Sequence, residues 1–150
     1  MLTINRSNYY LNCKAENKKD ALRIISDEFI KSKNVTTDCF YALSKRENQI
    51  STYISNGVAI PHLSKDDRTI ILKSDIKVFQ FPQGVMWGES HIVFITIAVL
   101  SKNDNDHIDT LKALTPLIKN DVAIDILSVT KHVDDFDKIL SRILKIEDSN

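Results

Sequence analysis

His62 ends the stretch Asn56-Gly57-Val58-Ala59-Ile60-Pro61-His62-Leu63. Val58–Ile60 reads as a short strand, and Pro61 fixes φ and lacks an N–H, so regular pairing stops beside it. An imidazole is thereby held on a stiff backbone at the rim of a sheet, where it meets solvent or a ligand. A neutral imidazole with one ring nitrogen kept as N–H is a nucleophile at the other. Arg46 offers a planar guanidinium, which neutralises phosphoryl oxygens through paired N–H donors. His107 follows the polar loop Ser101–Asp106 and falls in the first turn of an expected helix. There the helix dipole and unpaired N–H groups favour anions and disfavour imidazolium. A neutral His107 donates a hydrogen bond to a phosphate or an oxyanion. Together the three residues suit phosphoryl transfer through a phosphohistidine, with no metal and no cofactor. Each also has a plainer reading. Spacing alone favours an Arg46 that lays its stem on the core and keeps its head in water. His107 taken alone reads as a surface histidine in a capping region.

Other chemistries find no support. The chain has three glycines, Gly57, Gly84 and Gly88, so neither a G-x-G-x-x-G nor a Walker loop can be written. H-E-x-x-H, paired C-x-x-C and G-x-S-x-G are all missing, which leaves zinc and serine-hydrolase chemistry without a motif. His91 and His132 read as surface or partly buried structural histidines. Twenty basic and twenty acidic residues cancel, giving no general reason to expect nucleic acid or a membrane surface as partner. Two cysteines far apart, Cys13 and Cys39, imply free thiols and a reducing compartment, with the cytoplasm as the expected location. No secretory leader is expected, and Ile92–Leu100 is too short an apolar run to span a bilayer.

The elements that must position these residues follow from hydrophobic period. Leu22, Ile25, Phe29 and Ile30 recur at helical spacing, with Asn17 as cap and Asp20 in the first turn. A second helix is expected from Thr36 or Thr37. On it Cys39, Leu43 and Arg46 fall at i, i+4 and i+7, which places Arg46 on the rim of the buried face. Gln49–Gly57 reads as a loop, and Ser64–Asp67 as a polar turn. Thr69–Leu72 and Ile76–Phe81 read as strands, with a turn at Pro82–Gly84 and an irregular piece at Trp87–Glu89. Ile92–Leu100 reads as a central strand buried on both faces. A helix led by Asn103, Asp104 or Asn105 carries Ile108, Leu111, Thr115 and Ile118, with a kink or an early end expected at Pro116. Asp121–Val129 leans to helix, Phe136–Leu144 is strongly amphipathic, and the last few residues are expected to fray. The pieces at Leu2–Ile4 and Tyr9–Leu11 read as extended or as the lead-in to a helix. Helices, then strands, then helices argue for one α/β or α+β domain of 150 residues, large enough for a real core.

A family resemblance joins these pieces. Ala42-Leu43-Ser44-Lys45-Arg46-Glu47, followed by Ser51-Thr52-Tyr53-Ile54-Ser55-Asn56-Gly57-Val58-Ala59-Ile60-Pro61-His62, resembles the signature of the mannitol/fructose-type enzyme IIA domain. That family belongs to the bacterial phosphoenolpyruvate-dependent sugar phosphotransferase system. Phe79-Gln80-Phe81-Pro82-Gln83-Gly84-Val85-Met86-Trp87-Gly88 is closer to the mannitol type, and Asn105-Asp106-His107-Ile108 is similar to the family's second-histidine segment. The resemblance implies a single domain over residues 1–150, with a mixed sheet flanked by helices on both faces. It implies that His62 takes a phosphoryl group from the histidine-containing phosphocarrier protein, on the ring nitrogen distal to the backbone. The group then passes to a cysteine of an enzyme IIB domain of a sugar permease, in support of uptake of mannitol or a related sugar. Arg46 and His107 match the family's site arginine and second histidine, and Asn56, Gly57, Pro61 and Leu63 complete the site loop. Nucleic acid is not an implied partner, and the membrane is reached only through the permease. Two departures stand out. Ser55 replaces the usual glycine, and Leu63 replaces a small residue, adding an apolar side chain to the docking rim or obstructing it. The alternative within the same fold is a regulatory phospho-acceptor or interaction module that senses sugar or phosphorylation status.

Overall fold

The structure, a computed structural model, describes Leu2 and residues 4–145. Among them five strands form one sheet: β1 (Tyr9–Tyr10), β2 (Tyr53–Ser55), β3 (Val58–Ala59), β4 (Asp75–Gly88) and β5 (His91–Leu100), in the order β1-β4-β5-β3-β2. The sheet is mixed. β1 runs parallel to β4 and β3 parallel to β5, whereas β4–β5 and β2–β3 are antiparallel. β5 is second-neighbour to both edges and is buried from Ile95 to Leu100, whereas His91 and Ile92 at its start are exposed.

Helices cover both faces. On one side α1 (Lys18–Lys31) and α2 (Cys39–Gln49) pack Leu22, Ile25, Phe29, Cys39 and Leu43 against Ala59, Phe79, Ala98 and Leu100. On the other, α3 (Asp104–Ile118), α4 (Asp121–Val129) and α5 (Val133–Leu144) pack Leu114, Leu117, Ile124, Leu127, Phe136 and Leu140 against Val58, Ile60, Ile95, Ile97 and Val99. Each fully buried aliphatic or aromatic side chain contributes about 1.5–3 kcal/mol. The expected mixed sheet with helices on both faces is what the chain builds. No helix among the described residues is long and apolar enough to cross a membrane.

Several local readings change. β4 runs unbroken where a strand at Ile76–Phe81, a turn at Pro82–Gly84 and an irregular piece from Trp87 were expected. Pro82, which cannot donate to a ladder, and Gly84, at φ 77°, sit inside a register shift between Gln80 and Val85, so the bulge absorbs both. The expected loop Gln49–Gly57 contains β2. Asn56 and Gly57, at φ 51° and 82°, form a two-residue type I′ turn that closes a β2–β3 hairpin. Thr69–Leu72 is not a strand: a 3-10 helix spans Lys65–Ile70, closed locally by Asp67 N–H on Ser64 O and Ile71 N–H on Arg68 O. α2 begins at Cys39, later than Thr36 or Thr37. The Asn17 cap accepts from Asp20 N as expected, and Asn103 caps α3 by accepting from Asp106 N. Pro116 lies in the last turn of α3, which ends two residues later. Of the expected Leu2–Ile4 piece, Ile4 enters the core and Thr3 is outside the described residues. The expected fraying falls on residues 146–150, also outside them.

Candidate functional site

The regular strand β3 stops at Ala59, but the chain stays extended along β5. Val99 N–H donates to Pro61 O at 2.9 Å, and His62 pairs with Val99 as an isolated parallel bridge. The backbone under His62 is therefore fixed by the central strand. Side chains of extended chain alternate between faces. Val58, Ile60 and His62 share the face covered by α3, and Ala59 and Leu63 share the other. This corrects the reading of Leu63, which is only 4% exposed and packs in the α1–α2 core. It neither widens nor obstructs a docking rim. Pro61 is buried and acts as a spacer in the same alternation.

His62 and His107 meet. Their ring centroids are 4.8 Å apart with the planes at 43°. Nδ1 of His62 lies 2.7 Å from Ile60 O. A carbonyl only accepts, so Nδ1 carries the proton, and Nε2 keeps its lone pair free. Burial holds the His62 imidazolium below its usual pKa, against the raising effect of the Ile60 carbonyl, and Arg46 and Arg68 lower it further. His107 stands in the first turn of α3, its N–H on Asn103 O at 3.2 Å. Burial first, then His62 and Arg68, push its pKa to about 4, with Asp104 opposing. Both shifts favour the neutral rings, and the 4.8 Å separation disfavours charging both at once.

The shift of His107 has a measurable consequence. Its ordinary value is 6.5, so between about pH 6.5 and about pH 4 the unfolded chain binds a proton that the folded chain refuses. Stability from this group is present above pH 6.5 and is lost as pH falls through about 4. A ring titration followed by NMR is expected to give His107 a midpoint near 4; a midpoint above 6 contradicts it.

Arg46 approaches from the C-terminal end of α2. It is half-buried, as its rim spacing implied, and donates from Nη1 to Ile50 O at 2.5 Å. Its charge acts on both histidines. Asn56 and Gly57 lie elsewhere. Asn56 Nδ2 donates to Ile118 O at the far end of α3, eleven residues or about 16 Å along the helix from His107. The structure thus brings His62, His107 and Arg46 together and leaves the hairpin turn apart. His91 stacks on Tyr53 at 4.1 Å, and His132 is exposed at the N-cap of α5.

Two groups near the site had no role assigned in the sequence reading. Glu47, beside Arg46, is 5% exposed and accepts from Lys18 Nζ at 2.9 Å, Thr52 N at 3.0 Å, Thr52 Oγ1 at 2.5 Å and Trp87 Nε1 at 2.8 Å. Burial alone raises its pKa, but the bonds from Thr52 and Lys18 outweigh that and hold the carboxyl below its usual range. Its signal was spacing: Cys39, Leu43 and Glu47 recur every four residues, which puts a carboxylate on an apolar face. The second group is the 3-10 helix after His62. Lys45 pairs with Asp67 at 3.0 Å on one flank, and Arg68 and Lys65 pair with Asp104 of α3 on the other.

Comparison with known proteins now bears on this geometry. The family described as the phosphoenolpyruvate-dependent sugar phosphotransferase system, EIIA 2, matches residues 3–143. The chain belongs to this family. The EIIA chain is 34% identical over 131 residues to the Multiphosphoryl transfer protein of Haemophilus influenzae, covering 87% of this chain and 26% of that protein. It is 34% identical over 135 residues to the mannitol-specific EIICBA component of Pasteurella multocida, covering 88% of this chain and 21% of that one. It therefore spans about a quarter or less of these relatives. The crystal structure of IIA mannitol from Escherichia coli superposes with a TM-score of 0.83 at 26% identity, covering 95% of this chain and 99% of that one. The resemblance read from the Arg46–Glu47 and Gly57–His62 segments is thus upheld at the level of the EIIA family.

Proposed function

We propose that this EIIA domain carries a phosphoryl group on Nε2 of His62. The observation that carries the reading is the 2.7 Å contact of Nδ1 with Ile60 O, which leaves Nε2 as the nucleophile beside His107. The donor is the histidine-containing phosphocarrier protein. As the Nε2–P bond forms, the P–N bond of the donor breaks, and the proton stays on Nδ1, still donated to the Ile60 carbonyl, so no proton has to move. A cysteine thiolate of an enzyme IIB domain then attacks phosphorus, forming S–P and breaking Nε2–P. The Pasteurella relative, an EIICBA component by name, supports a IIB partner. The sugar served is mannitol or a relative of it. The domain is one unit over residues 1–150 and works in the cytoplasm, meeting the membrane only through the permease.

Arg46 and His107 supply the electrostatics. The guanidinium turns from Ile50 O toward the phosphoryl oxygens, and a neutral His107 donates one ring N–H. A neutral His107 thereby adds a hydrogen bond without adding a further full charge that would have to be overcome in onward transfer. The test is incubation with phosphoenolpyruvate, enzyme I and the phosphocarrier protein, followed by a search for acid-labile, base-stable phosphate. A protein that takes no label under conditions that label a known EIIA refutes the reading. Arg46→Ala is expected to slow transfer about 10–100-fold, the worth of one charge-assisted contact, with an unchanged melting curve. An unfolded variant would mean that Arg46 serves the fold.

A further inference from the structure

The 3-10 helix that follows His62 carries a second arginine with an unusual setting. The Arg68 side chain is only 15% exposed, yet its partner Asp104 is 51% exposed. An exposed carboxylate is a weak compensation for a largely desolvated guanidinium. Asp104 is also shared: Oδ1 takes Arg68, and Oδ2 takes Lys65 Nζ at 3.2 Å. Asp104 opens α3 three residues before His107, on the same side of the helix. The Arg68–Asp104 pair therefore lies alongside the two rings. The Arg68 charge lowers the proton affinity of both His62 and His107. Arg46, meanwhile, is tied to the Ile50 carbonyl in this state.

We propose that Arg68 is a second cation for the phosphoryl group on His62, parked on Asp104 while His62 is free. The inference rests on the phosphohistidine reading. A phosphoryl group with three acceptor oxygens is a better partner for the guanidinium fork than a half-exposed carboxylate. When Arg68 leaves, Lys65 keeps Asp104 paired, so the exchange strands no charge. No bond to phosphorus changes and no proton moves, because the guanidinium stays charged throughout. Asp104 is then a positioning residue. It draws Arg68 back, which weakens the hold on the phosphoryl group and eases its passage to the IIB cysteine.

The pair can be dissected because a structural clamp and a reserve cation predict different signs. The readout is the phosphorylated fraction at equilibrium with a limiting pool of phosphocarrier protein, using labelled phosphoenolpyruvate. Arg68→Gln is expected to lower the equilibrium constant for phosphoryl uptake about tenfold. Asp104→Asn, which frees Arg68, is expected to raise it severalfold and to slow onward transfer to IIB. The double variant is expected to match Arg68→Gln. If both single variants lower uptake, the pair is a clamp and the proposal is overturned. A double variant that keeps the gain of Asp104→Asn also overturns it, since the gain is then simple loss of a negative charge. Should Arg68→Gln fail to fold, Asp104→Asn alone decides, because unchanged or reduced uptake contradicts a parked cation. A wild-type protein that takes no label overturns the phosphohistidine reading and this proposal together, whereas a labelled wild type with falling variants overturns this proposal alone.

Discussion

His62→Gln takes no phosphoryl group from the phosphocarrier protein and melts close to the wild-type temperature. The expected loss in transfer is about 10⁴-fold or more, because the variant has no nucleophile to replace the ring nitrogen, and neighbouring groups cannot act without one. The stability cost is small for a definite reason. His62 is only half-buried, and its side chain makes one bond to the chain, Nδ1 to Ile60 O. Losing a single neutral hydrogen bond costs about 1 kcal/mol, and a glutamine amide can restore it. The backbone position is set instead by Val99 N–H on Pro61 O, which the substitution leaves alone. Label counting after acid and base treatment, together with a thermal melt, checks both halves. Label at the wild-type level would assign the acceptor to another residue. His107 is the natural second candidate, and His107→Gln in the same assay separates the two: it is expected to label, but slowly.

The site was readable where a local pattern determines geometry. Pro61 before His62, and Asn103 three residues before Asp106, are short-range signals, and both work as their chemistry dictates. Arg46 was readable as far as its helical spacing went. The rest depended on longer reach. Thr69–Leu72 has β-favouring side chains, yet local closures at Ser64–Asp67 and Arg68–Ile71 win, and no hydrophobic period marks a 3-10 helix. Arg68 finds its partner Asp104 thirty-six residues away, a contact that neither sequence neighbourhood announces. β4 looked broken because Pro82 and Gly84 are breakers in a regular ladder; a bulge changes that rule. Two signals were present and unused. Asn56-Gly57 between Ile54 and Val58 is a hairpin turn by composition alone. Period-2 alternation carried through Pro61 sends Leu63 away from His62 and into the core.

Glu47 shows how the scaffold bears on the chemistry, and Glu47→Ala tests it. The variant leaves Trp87 Nε1, Thr52 N, Thr52 Oγ1 and Lys18 Nζ without their shared acceptor. Removing one member of a buried charged network costs about 3–5 kcal/mol, since the stranded donors keep their desolvation penalty. At about 2–4 °C per kcal/mol for a chain of this size, the melting temperature is expected to fall by about 10 °C. Glu47→Gln retains one oxygen and the side-chain volume, so it should lose less than half as much. The pH dependence carries a sign. Because the folded carboxyl is held below its ordinary value of 4.5, its stabilisation is full above pH 4.5 and is lost as pH falls through the folded value. The gap in stability between wild type and Glu47→Gln should therefore narrow below pH 4.5. A fall in melting temperature under 3 °C for Glu47→Ala would sink the account. The network also joins the last turn of α2 to the approach to β2, to β4 and to α1, and Arg46 projects from that same turn. Loss of Glu47 should then slow phosphoryl transfer even below the melting transition, in proportion to how far the Arg46 guanidinium drifts from the two rings.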